Sequence, residues 1–436
     1  MYAIQSTSKW SPVALAVALL GLSTSNGAFA GEDDFPLSLT LSQAVSRDSN
    51  FTKNDAARVP ETIATTAAQV SLNKQYGRQT YQGSLKLSDQ KYHNFGYLDN
   101  SGVDGNFAFS TEMLRDWLIS ANGMYSKALN LVQNNSINDR TAKNIRTYRD
   151  GGFSVQYGNG GRWAVAGSYD SNRLNYSDNS LNNQDARQHS TGLKVIYYAS
   201  DVLSYSLGER SVVTSYPNNL SYSQATDHNI DLSSDWQVSG LSNLNVTVTR
   251  RSTNYIPDNI AGSKGWTGSL YWVYTPHGIL TYNVGFSRTT GADRQSYSGS
   301  QFAYYSITNG QVAAVYDNAV SKINNNTITT SLNLGARAQL TGKFAATAGY
   351  SVTKFSADQV NSLVFQDASS SNSFGSQTVG SYNHVASVGL SYDVLRSVSL
   401  GCNYQRYSQG ADILYHLKYS GREFDCTASF TLNPLN

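Results

Sequence analysis

Residues 265–288 constrain the fold more than any other stretch of this chain. Trp266, Gly268, Leu270, Trp272 and Tyr274 share one parity, and Thr267, Ser269, Tyr271 and Val273 share the other. Period-2 alternation puts successive side chains on opposite faces of a strand, here one apolar and one wetter. Pro276, His277 and Gly278 then supply a reversal, after which Leu280, Tyr282, Val284 and Phe286 restore the apolar face opposite Thr281, Asn283, Gly285 and Ser287. The unit is a hairpin with two unlike faces, and most of the chain repeats it.

Composition decides what solvents those faces meet. Charged residues make up 14% of the 436 residues, against about 25% in a soluble domain. No apolar run approaches the roughly 18 residues a membrane helix needs. Thirty Tyr and 35 Gly beside only 7 Pro suit strands that meet lipid on one face and carry aromatic girdles at both interfaces. The expected fold is an all-β, transmembrane antiparallel outer-membrane β-barrel of about 18 strands, falling to about 16 without the first two, near 37–46 and 62–74. The connections alternate in length. Short ones fall at 76–79, 111–116, 158–162, 200–202, 239–243, 276–278, 341–343 and 393–397. Long ones fall between them, including 134–144, 177–187, 217–227, 290–326, 357–380 and 408–422. Short periplasmic turns and longer outer loops are the pattern of outer-membrane barrels, with both termini in the periplasm.

Residues 1–30 read as a secretory signal: Lys9 precedes an apolar stretch at 12–22, and Ala28-Phe29-Ala30 forms a small-residue cleavage site. Export with cleavage after Ala30 leaves a barrel over 31–436. Cleavage removes Lys9 and no acid, so the formal charge falls from +2 to +1. A charge so nearly balanced gives no basis for nucleic-acid binding, which would need a basic patch or stripe.

Parity assigns a lumen lined by hydroxyls and amides, such as Ser204, Ser206, Asn245, Thr247, Asn283, Asn333, Ser387, Asn403 and Thr427. Charges interrupt it at Asp170, Lys194, Arg210, Asp231, Asp235, Arg251 and Arg337. Such a lining exchanges hydrogen bonds with water or sugar hydroxyls and favours a neutral solute over a phosphate. It equally suits a pore that is merely water-filled. The longest connection, 290–326, carries Tyr297, Phe302, Tyr304, Tyr305 and Tyr316 among small polar residues. Folded inward, it would constrict the channel and stack on sugar rings; left outside, it is an aromatic surface loop.

Little else points to chemistry. The six histidines, His93, His189, His228, His277, His384 and His416, stand singly without ligand spacing. There is no nucleophile elbow, P-loop or dinucleotide fingerprint, so neither an enzyme nor a cofactor is expected. Cys402 and Cys426 share the outward parity of the last two strands. They form a cross-strand disulfide if the register brings them together, or else serve as two small lipid-facing residues. With the register unknown, the second reading is preferred.

Three stretches resemble one family. Tyr76-Gly77-Arg78-Gln79-Thr80-Tyr81 followed by Tyr97-Leu98-Asp99-Asn100-Ser101-Gly102 is similar to the opening of the EpsL-type outer-membrane proteins of exosortase-associated exopolysaccharide operons. Asp231-Leu232-Ser233-Ser234-Asp235-Trp236 with Arg250-Arg251-Ser252-Thr253 resembles that family's middle hairpin, and Thr289-Thr290-Gly291-Ala292-Asp293-Arg294 opens a long loop where the family has one. The resemblance implies an outer-membrane channel in exopolysaccharide biosynthesis and export. Its partners would be lipid, the polymer and periplasmic polysaccharide-export proteins, and it carries no catalytic residues. Architecture alone also admits a general or solute-specific diffusion porin, or a barrel that binds through its outer loops. A genomic neighbourhood of glycosyltransferases would distinguish the first from the others.

Overall fold

The computed structural model describes residues 36–432 apart from 115, 131–142, 159, 220–222, 257–261, 309–310, 366–370 and 411–417. For 180, 291–308, 311–326, 357–365 and 371–379 it describes the backbone alone. The proposed signal segment lies outside the described residues.

The strands are β1 (Leu37–Asp48), β2 (Glu61–Tyr76), β3 (Gln79–Tyr92), β4 (Asn100–Met113), β5 (Trp117–Leu129) and β6 (Ile145–Tyr157). They continue as β7 (Trp163–Tyr176), β8 (Ala186–Ser200), β9 (Leu203–Ser215), β10 (Gln224–Ser239), β11 (Ser242–Ile256) and β12 (Ser263–Tyr274). The last six are β13 (Leu280–Thr308), β14 (Gln311–Gln339), β15 (Phe344–Phe365), β16 (Ser371–Leu395), β17 (Val398–Gln409) and β18 (Tyr419–Leu432). Each pairs antiparallel with its neighbours in sequence. The ring closes where β1 meets β18, from Leu39 opposite Leu432 to Asp48 opposite Glu423. The result is one closed 18-stranded sheet, and closure leaves no unsatisfied edge within the wall. The first two strands belong to it fully, paired from Leu37↔Leu72 to Asp48↔Glu61.

Turn chemistry fixes the short connections at one end. Gly77 takes φ +58° between β2 and β3. Gly158 takes φ +92°, where an added Cβ would run into the Trp163 carbonyl. Both are conformations that glycine adopts without steric cost.

Register carries one parity round the whole ring. Trp266 and Leu270 lie opposite Arg250 and Val246, Leu244 opposite Trp236, and the series continues to Leu41 opposite Phe430 at the closure. Trp163 is 61% exposed, Trp266 57% and Leu193 61%. A continuous apolar band of this extent is not tolerated in water, so this face meets lipid. Near the short-turn end, aromatic pairs form a girdle: Tyr81–Phe109 at 5.0 Å, Trp117–Tyr157 at 4.9 Å and Trp163–Tyr197 at 4.6 Å between ring centroids.

Two expectations are corrected. Segments 290–326 and 357–380 are largely strands, not loops: β13 and β14 pair out to Thr308↔Gln311, and β15 and β16 out to Val364↔Ser371. Pairing of β12 with β13 stops at Gly268↔Arg288, and that of β16 with β17 begins at Asn383↔Gln409. The four strands β13–β16 therefore continue past the ring as a blade. Second, Cys402 and Cys426 are bonded, with S–S 2.04 Å, because the register sets them directly opposite each other on the lipid face.

Candidate functional site

The parity opposite the apolar band defines the lumen, and its hydroxyls and amides bond across strands. Thr40 and Thr431 meet at 3.0 Å, Ser120 and Ser154 at 2.7 Å, Ser233 and Thr247 at 3.1 Å, and Ser331 and Thr353 at 3.0 Å. These contacts lie on four separate parts of the ring, so the lining is polar around its circumference.

The charges expected in the lumen are all of this parity, and the structure sorts them into paired and unpaired groups. Arg251 on β11 grips Asp227 on β10 in a fork, Nε to Oδ1 at 3.0 Å and Nη2 to Oδ2 at 2.8 Å, while Thr253 also donates to Asp227. The third guanidinium nitrogen donates to the Thr290 carbonyl at 2.6 Å, at the root of the blade. Arg210 reaches Asp231 at 3.3 Å, and Thr249 donates to the same carboxylate at 2.6 Å. Asn245 donates to Asp235. Asn333 accepts from Ser351 at 2.7 Å, Asn283 lies against Gly335, and Arg337 donates to Gln339 at 3.3 Å. Lys194 and Asp170 have no ion-pair partner among the described residues.

The sequence reading missed several luminal charges of the same parity. Asp104 on β4 lies opposite Lys86 on β3, Asp150 and Arg146 lie on β6, with Asp150 diagonal to Asp170 on β7, and Glu423 and Asp425 lie on β18. None of these acids is within ion-pair distance of a cation among the described residues. Carrying the parity outward from 265–288, strand by strand, would have found them. The lumen is thus polar with an excess of carboxylates, a field that opposes anions.

At the long-connection end one connection packs against the inner wall. The β1–β2 connection folds onto luminal side chains of both β2–β3 and β17–β18. Phe51 packs on Tyr92 and Phe95 at 5.9 and 5.3 Å. Asn50, wholly buried, donates to the Ser420 carbonyl at 2.9 Å and accepts from the Asn54 amide at 3.1 Å. Lys53 pairs with Asp48 at 2.6 Å and lies 3.5 Å over the Tyr407 ring, a cation–π contact. Burial pushes its ammonium below the ordinary lysine range against the pull of Asp48. The Tyr407 hydroxyl donates to Asp48, with the Asn50 carbonyl 3.1 Å away, and Gly421 leaves the space that the Tyr407 ring fills. Beside this hub Glu61, 1% exposed, accepts the backbone amides of His93 at 2.8 Å and Phe95 at 3.1 Å.

The proposed constriction residues are placed differently. Tyr297, Phe302, Tyr304 and Tyr305 are on β13, paired to Ser321, Tyr316, Val315 and Ala314 of β14. Their backbone is committed to a ladder, and their side chains lie outside the described residues. The β1–β2 connection, to which the sequence reading gave no functional weight, packs on luminal side chains at this mouth.

No known family profile matches the chain, and no curated protein matches it. Solved structures do. OccAB3 of Acinetobacter baumannii aligns at 9% identity over 91% of this chain and 98% of that one, with TM-score 0.44. The FrpB iron transporter of Neisseria meningitidis aligns at 10% identity over 92% and 83%, also at 0.44. The siderophore receptor PirA from Pseudomonas aeruginosa aligns at 10% identity over 90% and 80%, at 0.38. Likeness at this level assigns neither substrate nor partner. The ring closure and the apolar outer band by themselves make the chain a membrane-embedded barrel of outer-membrane type.

Proposed function

We propose that the chain is a bacterial outer-membrane channel, exported with cleavage after Ala30, that takes part in exopolysaccharide biosynthesis and passes a largely neutral sugar polymer. The observation that supports this most is the luminal lining. Hydroxyls and amides bond across strands around the ring, the cations Arg210 and Arg251 are already held by Asp231 and Asp227, and among the described residues the unpaired acids Asp104, Asp150, Asp170, Glu423 and Asp425 outnumber the unpaired cations Lys86, Arg146 and Lys194. Sugar hydroxyls can replace such cross-strand bonds at little cost, whereas a phosphate or uronate meets a field of its own sign. The choice of polymer export over simple diffusion rests on the sequence resemblance described above. Periplasmic export proteins are the partners it implies.

The test uses the purified barrel in a planar bilayer. Neutral oligosaccharides added to either side should give transient current blocks, and anionic oligosaccharides of equal size should block about tenfold less often. Deleting the gene should abolish or sharply reduce polymer at the cell surface. Normal secretion in the deletion strain, with uptake of small sugars impaired, would replace this reading with that of a diffusion porin, to which the same lining is suited.

A further inference from the structure

The lipid-facing parity carries a second pattern that transport does not use. Where strands approach the long-connection end, outward positions turn from apolar to cationic. Arg149 on β6 lies directly opposite Arg173 on β7, and Arg173 directly opposite Arg187 on β8. Three guanidiniums thus form one row across adjacent strands spaced about 5 Å apart. On the other side of the ring Arg406 on β17 lies directly opposite Arg422 on β18, and Arg47 on β1 pairs with Phe424, one outward step along β18 from Arg422. All six side chains are exposed. Arg250, Lys264 and Arg288 continue the pattern on β11 to β13.

Like charges placed directly opposite each other on a sheet destabilise it, so these rows need something to offset them. The protein provides only neutral partners, the Tyr125 ring 5.7 Å from the Arg149 guanidinium and the Asn175 side-chain carbonyl oxygen that accepts from Arg173 at 2.8 Å, and, among the described residues, no carboxylate. Asp89 and Glu209 are the only carboxylates of outward parity among the strand side chains described, and Asp89 is engaged near Lys91. No ion pair joins any of the six arginines to a carboxylate among the described residues. At the short-turn end, Lys74 is the one outward cation within a described strand. The asymmetry therefore belongs to one leaflet.

We propose that the Arg149–Arg173–Arg187 and Arg47–Arg406–Arg422 rows bind phosphate-bearing glycolipid headgroups of the leaflet at the long-connection end. Guanidinium is the side chain suited to bidentate phosphate recognition. The rows stand a few residues beyond lipid-facing Phe153, Tyr169 and Leu193 on the same strands, at the level where acyl chains give way to headgroups. That position favours a lipid over a soluble polyanion. The inference needs the barrel to be in a membrane, and it is independent of what the lumen passes.

The experiment compares the full-length barrel with R149Q/R173Q/R187Q and with R47Q/R406Q/R422Q, each reconstituted in phosphatidylcholine nanodiscs. The probes are diphosphoryl lipid A and its dephosphorylated form, read by native mass spectrometry. Retention of the compact form on unheated gels confirms that each variant is folded. The wild-type barrel should retain diphosphoryl lipid A about tenfold more tightly than the dephosphorylated form, each triple variant should lose most of that preference, and high salt should weaken it. Equal binding of the two lipids, or variants indistinguishable from wild type, would overturn the proposal. So would a preference of the rows for a soluble polyuronate that exceeds their preference for lipid A.

Discussion

The β1–β2 connection and the β13–β16 blade sit at the same end of the barrel and solve opposite problems. The connection from 49 to 60 is short, and it is dense in residues that bond backbone groups: Asn50, Thr52 and Asn54 bond within the connection, and Ser49 and Asp55 accept from the Arg422 and Ser420 amides of β18. It gives up regular structure and becomes a buried hub, with Asn50 and Thr52 at 0% and 1% exposure. The blade keeps period-2 alternation past the rim and satisfies its backbone by pairing with itself, out to Thr308↔Gln311. The lesson is that length in sequence is a poor guide to which segment enters a pore. What matters is whether the backbone groups of a segment are met by a ladder or must find partners on the wall.

Four perturbations test the contrast, beginning with the largest expected effect. Arg251→Ala strikes the root of the blade, where the guanidinium holds both Asp227 and the Thr290 carbonyl. It leaves a nearly buried carboxylate unpaired and should cost about 3–5 kcal/mol, seen as a lower thermal unfolding midpoint; an unchanged midpoint would mean the ion pair holds nothing in place. Asn50→Ala removes the hub's central side chain and should weaken docking of the connection by about 1–3 kcal/mol. Trypsin added outside sealed vesicles should then cut at Lys53 and Arg58 far faster than in wild type, and channel conductance should rise. Tyr407→Phe deletes the hydroxyl that meets Asp48 but keeps the ring beneath Lys53. Its cost should be smaller, about 1 kcal/mol, with an intermediate rate of cleavage at the same sites. Replacing 296–321 with a two-residue turn should change barrel stability by less than about 0.5 kcal/mol and leave conductance as it was. A rise in conductance as large as that of Asn50→Ala would return the constriction to the blade and erase the comparison.

Much of the wall was legible from residues alone. The parity of 265–288 extends unbroken to Trp163, Trp236 and Phe430, because the face of a strand is a local property with period 2. The blade was less so. Asn309-Gly310 is a strong hairpin signal, yet its flanks put apolar residues on both parities, as at Tyr304-Tyr305 and Ala314-Val315, so no one apolar face marked them as strands. The candidate lumen residues share a face, as their parity required, but which of them pair was not readable: Arg210 with Asp231 and Arg251 with Asp227 depend on register between strands.

The sequence by itself determined that this chain alternates, that its strands have one face for lipid and one for water, and that the short turns gather at one end. Only the tertiary structure decided how distant strands meet. It closed β1 on β18 and set Cys402 opposite Cys426. It aligned arginines from three strands in one row and placed Asn50 against Ser420, 370 residues away. The physical reason is that alternation is written into each strand by backbone geometry, whereas register and loop docking come from contacts between segments far apart in the chain, which hydrogen-bond satisfaction selects only once the ring has closed.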